Sequence, residues 1–560
     1  MHSYVRPNQH IALRLPSGFT KLAQVVPNTA ISLGKFGNFP TNQIIGRPFY
    51  VTYDIETPDE KDGSCLRVVS AAELHAESLL TEGKADGEEP DTNPDGTPMR
   101  TNRETVDDAS TQKLTFEEIE TLKKASGGSG RELIAKILDS HSSLDQKTAF
   151  SLAKYTLRKR MKFLQRFTVL PLDVSLLTNH LLQERDAARV MELRDESIGL
   201  VGCWGNVHHG GNTSLDDVVS GRNGRYLVVD DTGGLMVAAM AERMGILYPH
   251  DGEDHEEAET AEQSTATGIA QGAPSSRPPR RTPMSASGNS ITLLHTHKQP
   301  NLTLLKYFGF NQDNSSETHP LYTNLKTVSW LQLLEPNEDI QYTDEPAIIP
   351  DGELALLKTS KRSQYHRKRT RWTRVQSVVN EARAGDFDGL IVATQMDPET
   401  VLNHTVPLLK GSASIAVYSP SVESLTELMD LYSAPSKTAY MNRRNELREQ
   451  RQQESKDDAE DGDDDYPELK DEFPLNPTLL LASALETSRV RSWQVLPGRT
   501  HPLMSGRGGA EGYIFHAVRA HPTRKEISAA GNPSRKRRKV AETTSTPTAD
   551  SSGVDVEMKS

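Results

Sequence analysis

The sequence predicts an α/β protein with an α+β front end: a small N-terminal β-barrel, a helical connector, and a doubly wound sheet whose cofactor site is degenerate. Three observations carry that prediction. The stretch RYLVVDDTGGLMVAAMAERMG, from Arg225 to Gly245, reads as a buried strand, a glycine turn and an amphipathic helix. Strand-length apolar runs alternate with helical patterns from Asp388 to Tyr432, as in a parallel sheet wound on both faces. Residues 9 to 70 hold five short β-rich runs separated by Pro, Gly and Asn.

Composition bounds the rest. A chain of 560 residues accommodates two or three domains, and 35% hydrophobic residues with 32 Pro and 38 Gly place part of it outside any core. The formal charge of -13 argues against a nucleic-acid binder only on average, because acids and bases are segregated along the chain. Cys65 and Cys203 stand alone, so neither a disulfide framework nor a four-cysteine metal site is expected, and a reducing compartment is. The N-terminus lacks the apolar core of a signal peptide and no stretch reaches transmembrane length. A soluble, intracellular chain without membrane contact is the expectation.

In chain order, Ile11–Leu15, Phe19–Val26, Ala30–Leu33, Arg47–Tyr53 and Leu66–Val69 are strand candidates that suit a small barrel or sandwich. Lys35, Phe36 and Phe39 occupy a loop suited either to stacking on RNA or to closing a hairpin. Residues 76 to about 112 are rich in Glu, Asp, Gly, Pro and Thr, and read as a linker. Thr115-Phe116-Glu117-Glu118 is a capping box, and a second helix runs from about Ser129 through Leu133, Ile134, Ile137 and Leu138. Gly127, Gly128 and Gly130 lack the Gly-Lys-Ser/Thr ending of a phosphate loop and read as a helix connection.

The helix expected over Asp145–Arg166 is the most polarised element. Phe150, Ala153, Leu157 and Leu164 supply an apolar stripe, while Lys154, Arg158, Lys162 and Arg166 recur every four residues on another face, joined by Lys159 and Arg160. No acid occurs between Asp145 and Asp173. Like charges at this spacing cost about 0.2–0.5 kcal/mol per pair, a strain that an external polyanion relieves.

Phe167–Leu172 reads as a strand and Arg189–Trp204 as a helix leading into the central unit. Cys203, His208 and His209 lack further ligands and read as structural rather than metal-binding. In the central turn, Asp230-Asp231-Thr232-Gly233-Gly234-Leu235-Met236, two adjacent glycines replace the spaced set that lets a backbone approach a dinucleotide or S-adenosylmethionine. Asp251–Asn289 is expected to be a disordered insertion. At the end of the next strand, Ile291–His295, a ribose-binding acid is replaced by His295-Thr296-His297. A helix near Leu302–Phe308, a strand at Val328–Leu334 and a second basic block with Tyr365 and Trp372 at Lys358–Arg374 follow. Asp388–Ala393 and Ser414–Tyr418 are strands, and Pro398–Leu409 and Val422–Tyr432 helices. A charged connector from Arg443 precedes the last strands, Thr478–Leu485 and Gly512–Val518. The tail carries Arg535, Lys536, Arg537, Arg538 and Lys539, a nuclear localisation pattern.

Taken together, HIALRLPSGFTKLAQVVPNTAISLGKFGNFPTNQIIGRPFYVTYDI, GRELIAKILDSHSSLDQKTAFSLAKYTLRKRMKFLQRFTVLP, RYLVVDDTGGLMVAAMAERMG and WQVLPGRTHPLMSGRGG resemble the non-catalytic, tRNA-binding subunit family of the eukaryotic tRNA (adenine-N(1)-)-methyltransferase, the Gcd-type family. The resemblance implies a barrel at 1–75, a linker at 76–112, a helical connector at 113–166 and a Rossmann-like, class I methyltransferase-like domain at 167–520. Disordered inserts at 251–289 and 443–472 and a tail at 521–560 complete the expected organisation. It implies a subunit without catalytic, cofactor-binding or metal residues, acting in formation of 1-methyladenosine at T-loop position 58 of tRNA, initiator methionyl-tRNA included. S-adenosylmethionine is expected in a catalytic partner, in a heterotetramer with two copies of each chain, and the basic tail, rather than the resemblance, gives the nucleus as the expected location. The implied tRNA contacts are Asn102, Arg103, Gln112 and Lys113, the helix residues Lys154, Tyr155, Arg158, Lys159, Arg160, Lys162 and Arg166, and Arg489 and Arg491. Two other readings stay open: an active S-adenosylmethionine-dependent RNA methyltransferase built around Asp231, and a scaffold that touches only protein.

Overall fold

The computed structural model describes residues 3–56, 64–82, 111–125, 130–142, 149–183, 186–209, 224–248, 289–312, 319–454, 466–496, 499–503 and 510–521. The expected contacts Asn102 and Arg103, the insertion at 251–288 and the basic cluster Arg535–Lys539 lie outside the described residues.

The N-terminal strands are β1 (His10–Arg14), β2 (Thr20–Gln24), β3 (Ala30–Ser32), β4 (Asn38–Pro40), β5 (Thr52–Glu56) and β6 (Cys65–Val68). They take in a distant seventh, β7 (Arg166–Pro171), to form an antiparallel sheet of order β2-β1-β7-β5-β6, with β3 and β4 as a separate hairpin. Alternation explains the pairing. Ile11 and Leu13 of β1, Ile55 of β5 and Phe167 and Val169 of β7 face one core, where Phe39 stacks on Phe167 at 4.4 Å. This corrects two expectations. Among the described residues β2 and β6 do not pair, so the sheet is open rather than a closed barrel. The strand expected to begin the C-terminal domain is the centre of this sheet, where it covers what would otherwise be two open edges. Phe36 and Phe39 are buried in the same core, so their loop is a packed hairpin.

A helix, α1 (Ala71–Glu82), runs into the segment expected to be linker from residue 76. The connector comprises α2 (Phe116–Ala125), α3 (Arg131–Asp139) and α4 (Ala149–Phe163). Thr115 and Glu118 make the reciprocal capping bonds, Thr115 Oγ1 accepting at 3.3 Å and Glu118 Oε2 at 2.8 Å. Gly130, at φ +79°, starts α3 so close to α4 that a Cβ would lie 2.3 Å from the Phe163 carbonyl oxygen.

The second sheet contains β8 (Arg225–Asp230), β9 (Ser290–His295), β10 (Leu325–Ser329), β11 (Phe387–Ala393), β12 (Leu409–Ser419), β13 (Leu480–Glu486) and β16 (Tyr513–Arg519). A ribbon of β14 (Trp493–Leu496) and β15 (Arg499–Pro502) lies between the last two in sequence. The order is β10-β9-β8-β11-β12-β16-β13, parallel except for β16, which runs against both neighbours. Helices α5 (Val174–Gln183), α6 (Asp195–Trp204) and α7 (Leu235–Met244) cover one face. On the other face, α8 (Trp330–Leu334), α9 (Thr359–Ala384), α10 (Pro398–Thr405) and α11 (Glu423–Leu431) contribute to a second core. Burial on both faces is why the strands read as continuous apolar runs. The strand order reverses between β8 and β11, so the switch-point crevice of this Rossmann-like sheet opens at the ends of those two strands.

Three local expectations change. The strand expected over Val328–Leu334 gives way to α8 at Ser329, whose side chain and Gln332 form a capping box. The helix expected over Arg189–Trp204 is interrupted at Met191 and Glu192, both at positive φ. The insert expected to be disordered from 443 to 472 instead contains α12 (Ala434–Glu454) and α13 (Pro467–Glu472). Tyr440, Leu447, Tyr466 and Leu469 form a small core between them, and Arg443 pairs with Glu472 at 3.0 Å. Four apolar residues dispersed among charges suffice because the two helices share them.

Candidate functional site

At the switch point the chain closes on itself. Asp230 ends β8 and is buried. Its Oδ1 accepts from Thr232 N at 2.6 Å and from Thr232 Oγ1 at 2.5 Å, and its Oδ2 from Val237 N at 3.4 Å. Thr232 Oγ1 in turn accepts from Met236 N at 3.1 Å. The amides at the start of α7, which in a nucleotide site face a ligand, are therefore held by the chain's own carboxylate and hydroxyl. Burial pushes the Asp230 carboxyl up to about 6, against the hydrogen bonds that favour its charge. Asp231 turns to the neighbouring strand, where its Oδ2 accepts from Thr394 Oγ1 and, at 3.1 Å, from Gln395 N.

The glycines serve the same closure. Gly233 and Gly234 are both in the left-handed region, at φ +74° and +91°, and the segment after β9 lies directly on them. A Cβ on Gly234 would sit 3.2 Å from Leu302 Cα and 3.5 Å from Leu305 Cγ, and Leu304 N donates to Gly233 O at 3.1 Å. Leu302, Leu304 and Leu305 are buried there, with Thr303 Oγ1 accepting from Arg189 Nη2 at 2.7 Å. His295, in place of a ribose acid, bonds through Nδ1 to His297 O at 2.6 Å, and burial holds its imidazole below the usual range. Asp397 is exposed at the start of α10 and accepts from Thr400 Oγ1 at 3.3 Å. Cys203, His208 and His209 form no metal-binding group among the described residues.

The basic surface lies elsewhere. On α4, Arg158 and Lys162 are exposed and Lys154, Lys159 and Arg160 half-buried, while Ala153, and Leu164 just past the helix end, are buried. Lys159 Nζ lies 4.8 Å from the Tyr155 ring centroid and Lys162 Nζ 5.0 Å from that of Phe163, so two ammonium groups rest on aromatic faces. Tyr155 also packs edge-on against His141 at 5.0 Å. Through a bridge between His141 and Gln112, this contact places residues 111–113 beside the helix. Lys113 is exposed there, whereas Gln112 donates its amide to Ser140 Oγ at 2.7 Å.

Arg166 does not join that surface. It begins β7 and is buried, its Nε 2.7 Å from Asp54 Oδ1 and its Nη2 3.2 Å from Oδ2. Arg131 and Arg67 reach the same carboxylate at 2.9 and 2.7 Å. Glu56 and Glu73 bring the local charge to balance, and hydrogen bonds from Arg67, then Arg131, hold the Glu73 carboxyl down to about 2. The fourth basic residue of the expected stripe is thus an internal tie between connector and N-terminal sheet. The helix ends at Phe163 before reaching it.

The ribbon runs beside α4, bringing the second group of expected contacts to the first. Arg491 is exposed, and Arg489 lies 3.7 Å from Glu511. Trp493, 57% exposed, adds an aromatic face. Trp493 was not singled out in the sequence, although Arg489-Val490-Arg491-Ser492-Trp493 interleaves cations with an aromatic residue.

Residues 4–358 match the Gcd10p family. The chain belongs to the Gcd10p family. It is 66% identical over the full length of both chains to the "tRNA (adenine(58)-N(1))-methyltransferase non-catalytic subunit trm6" of Aspergillus oryzae. A Schizosaccharomyces pombe protein of the same description is 28% identical, over 96% of each chain, and one from Mus musculus 23% identical over 84% of each. Among solved structures, a SAM-dependent O-methyltransferase of Thermotoga maritima aligns at TM-score 0.38 and 9% identity, over 93% of this chain and 97% of that one. The tRNA (m1A58) methyltransferase TrmI of Aquifex aeolicus aligns at TM-score 0.32 and 8% identity, over 93% and 100%. In this member of the Gcd10p family, the glycine turn packs against Leu302 and Leu305, and exposed cations stand on the connector and the ribbon.

Proposed function

We propose that this chain is the non-catalytic, substrate-binding subunit of the complex that forms 1-methyladenosine at position 58 of tRNA. One observation carries the reading: the crevice that would hold a cofactor is occupied by Leu302, Leu304, Leu305 and the Asp230–Thr232 bonds, while a cationic surface stands open. The descriptions of the full-length relatives support it. The strand order with one reversed strand, β16, is what a methyltransferase-like sheet requires, and the closed crevice suits a sheet kept for assembly.

Arg158, Lys162, Lys154, Lys159, Arg160 and Lys113 hold tRNA phosphates, and Arg489, Arg491 and Trp493 extend the contact along the ribbon. Such contacts fix the position of the RNA and leave sequence to its shape and its partner. The target adenine leaves its stack and enters the catalytic partner, which supplies S-adenosylmethionine and the groups that act on the base. The assembly is a heterotetramer of two copies of each chain, and the basic tail directs this chain to the nucleus.

The test is methyl transfer to a tRNA transcript by this chain, by its catalytic partner and by the two mixed, with calorimetry of S-adenosylmethionine against each. Transfer only in the mixture, with cofactor heat only from preparations containing the partner, is expected. Transfer or saturable cofactor binding by this chain alone contradicts the reading.

A further inference from the structure

The second basic block forms α9, and neither the crevice nor the α4 surface uses it. Its 26 residues contain eight Lys or Arg and one acid, Glu381. One face of the helix is anchored. Trp372 Nε1 and Gln376 Nε2 donate to Tyr342 O at 3.1 and 2.6 Å, and Asn380 accepts from Tyr342 Oη at 2.9 Å, a spacing of four residues each time. Trp372 is therefore spent on packing.

An adjoining face borders an open cleft of about 630 Å3, lined by Lys326, His366, Arg369, Thr370, Thr373 and Arg374 among others. Arg374 is aimed rather than loose: its guanidinium lies 5.0 Å from the Tyr322 ring centroid, and its Nη2 donates to Tyr322 O at 2.8 Å. Arg369 donates to the neutral Tyr365 hydroxyl at 3.0 Å. The acid at the cleft, Glu381, is matched by Lys326 at 2.6 Å and Arg225 at 3.3 Å. The remaining charge is positive. On the same helix, Lys361, Arg367 and Arg371 are exposed, and among the described residues none is in an ion pair. Arg367 and Arg371, and Arg371 and Arg374, are like charges at helical neighbour spacing, so the helix carries a repulsion that a bound polyanion removes.

We propose that the basic face of α9, Arg367, Arg371 and Arg374 together with the cleft that Arg374 lines, is a second RNA phosphate-binding surface, separate from α4. The inference rests on the RNA-binding reading of the chain. Guanidinium forks beside threonine hydroxyls, with Glu381 already matched by Lys326 and Arg225, suit a phosphodiester backbone. Position agrees. The cleft adjoins β10, one edge of the seven-stranded sheet, whereas the ribbon beside α4 leaves from β13 at the other. Six interstrand steps of ~4.8 Å separate those edges by about 29 Å, so one RNA that touches both must reach across the sheet.

The experiment uses the complex of the full chain with its catalytic partner. The affinity for a tRNA transcript is measured at several salt concentrations and the RNA phosphates are footprinted, for the wild type, Arg367→Glu with Arg371→Glu, and Arg158→Glu with Lys162→Glu. The α9 pair is expected to weaken binding about tenfold and to lower the slope of log affinity against log salt by about 2, roughly one for each phosphate deprived of its cation. It should also expose a set of phosphates different from the set exposed by the α4 pair. Arg448→Glu on α12 is a control for net charge and should change neither. If the reversals prevent assembly, Arg367→Gln with Arg371→Gln should still lower the slope. Wild-type affinity, slope and footprint in the α9 pair, with weakened binding in the α4 pair, overturns this inference and leaves the RNA-binding reading intact. Wild-type behaviour in both pairs overturns both. Normal RNA binding with loss of the catalytic partner assigns the face to protein and also overturns the inference.

Discussion

The switch-point crevice and the α4 surface carry polar groups in opposite states. In the crevice each acid has found an internal donor: Asp230 holds Thr232 and the α7 amides, and Asp231 holds Thr394 and Gln395. On α4, Arg158 and Lys162 extend into solvent from a helix that offers them no acid. A satisfied, buried cluster stabilises a fold and has nothing left to offer a ligand; an exposed cluster of one charge is costly until a ligand arrives. The polar groups of the crevice are thus satisfied within the chain, whereas those of α4 face solvent.

The comparison can be strained at several points. The largest effect is expected at Asp54, the carboxylate on which the connector is tied. Asp54→Ala leaves Arg166 buried without its partner and should destabilise the protein by about 3–5 kcal/mol in denaturant unfolding. A loss below ~1 kcal/mol means the network is ornamental. Next, Leu304→Ala removes a buried filler from above Gly233 and should cost about 2–5 kcal/mol. It should not create S-adenosylmethionine binding by calorimetry, because Asp230 and Thr232 still occupy the start of α7; a saturable signal would show that the leucines alone seal the crevice.

Asp230→Asn tests the seal by pH. The folded carboxyl, at about 6, lies above its usual 3.8, so its contribution to stability is complete below about pH 4 and is lost as pH rises through 6. A variant that cannot ionise should gain on the wild type between pH 4 and 8 by up to about 3 kcal/mol, because each pH unit separating the folded from the usual value is worth about 1.36 kcal/mol. Parallel stability curves in thermal unfolding would place the charge of Asp230 in a less hostile site than its burial indicates.

Much of this organisation was legible in the sequence, and what escaped it was non-local. The strand–glycine–helix unit emerged as β8 and α7 because its signal is an apolar run followed by a turn within 21 residues. The capping box of α2 was readable for the same reason. The pairing of β7 with β1 and β5 was not, because strand partners more than 100 residues apart leave no local pattern. Arg166 looked like the last member of a basic stripe, since spacing is visible and its partner Asp54, 112 positions away, is not. The glycine pair pointed to a damaged loop. The packing of Leu302 and Leu305 against Gly234 was not legible there, because those residues lie more than 60 positions away.

The most direct test is a titration of tRNA and, separately, of S-adenosylmethionine into the assembled complex carrying Arg158→Glu and Lys162→Glu in this chain. tRNA affinity should fall at least about tenfold, with a salt slope lower by about 2, while cofactor affinity stays at the wild-type value. Unchanged tRNA affinity, or a loss of cofactor binding in step with it, would contradict the division between a sealed crevice and an open RNA surface within this chain.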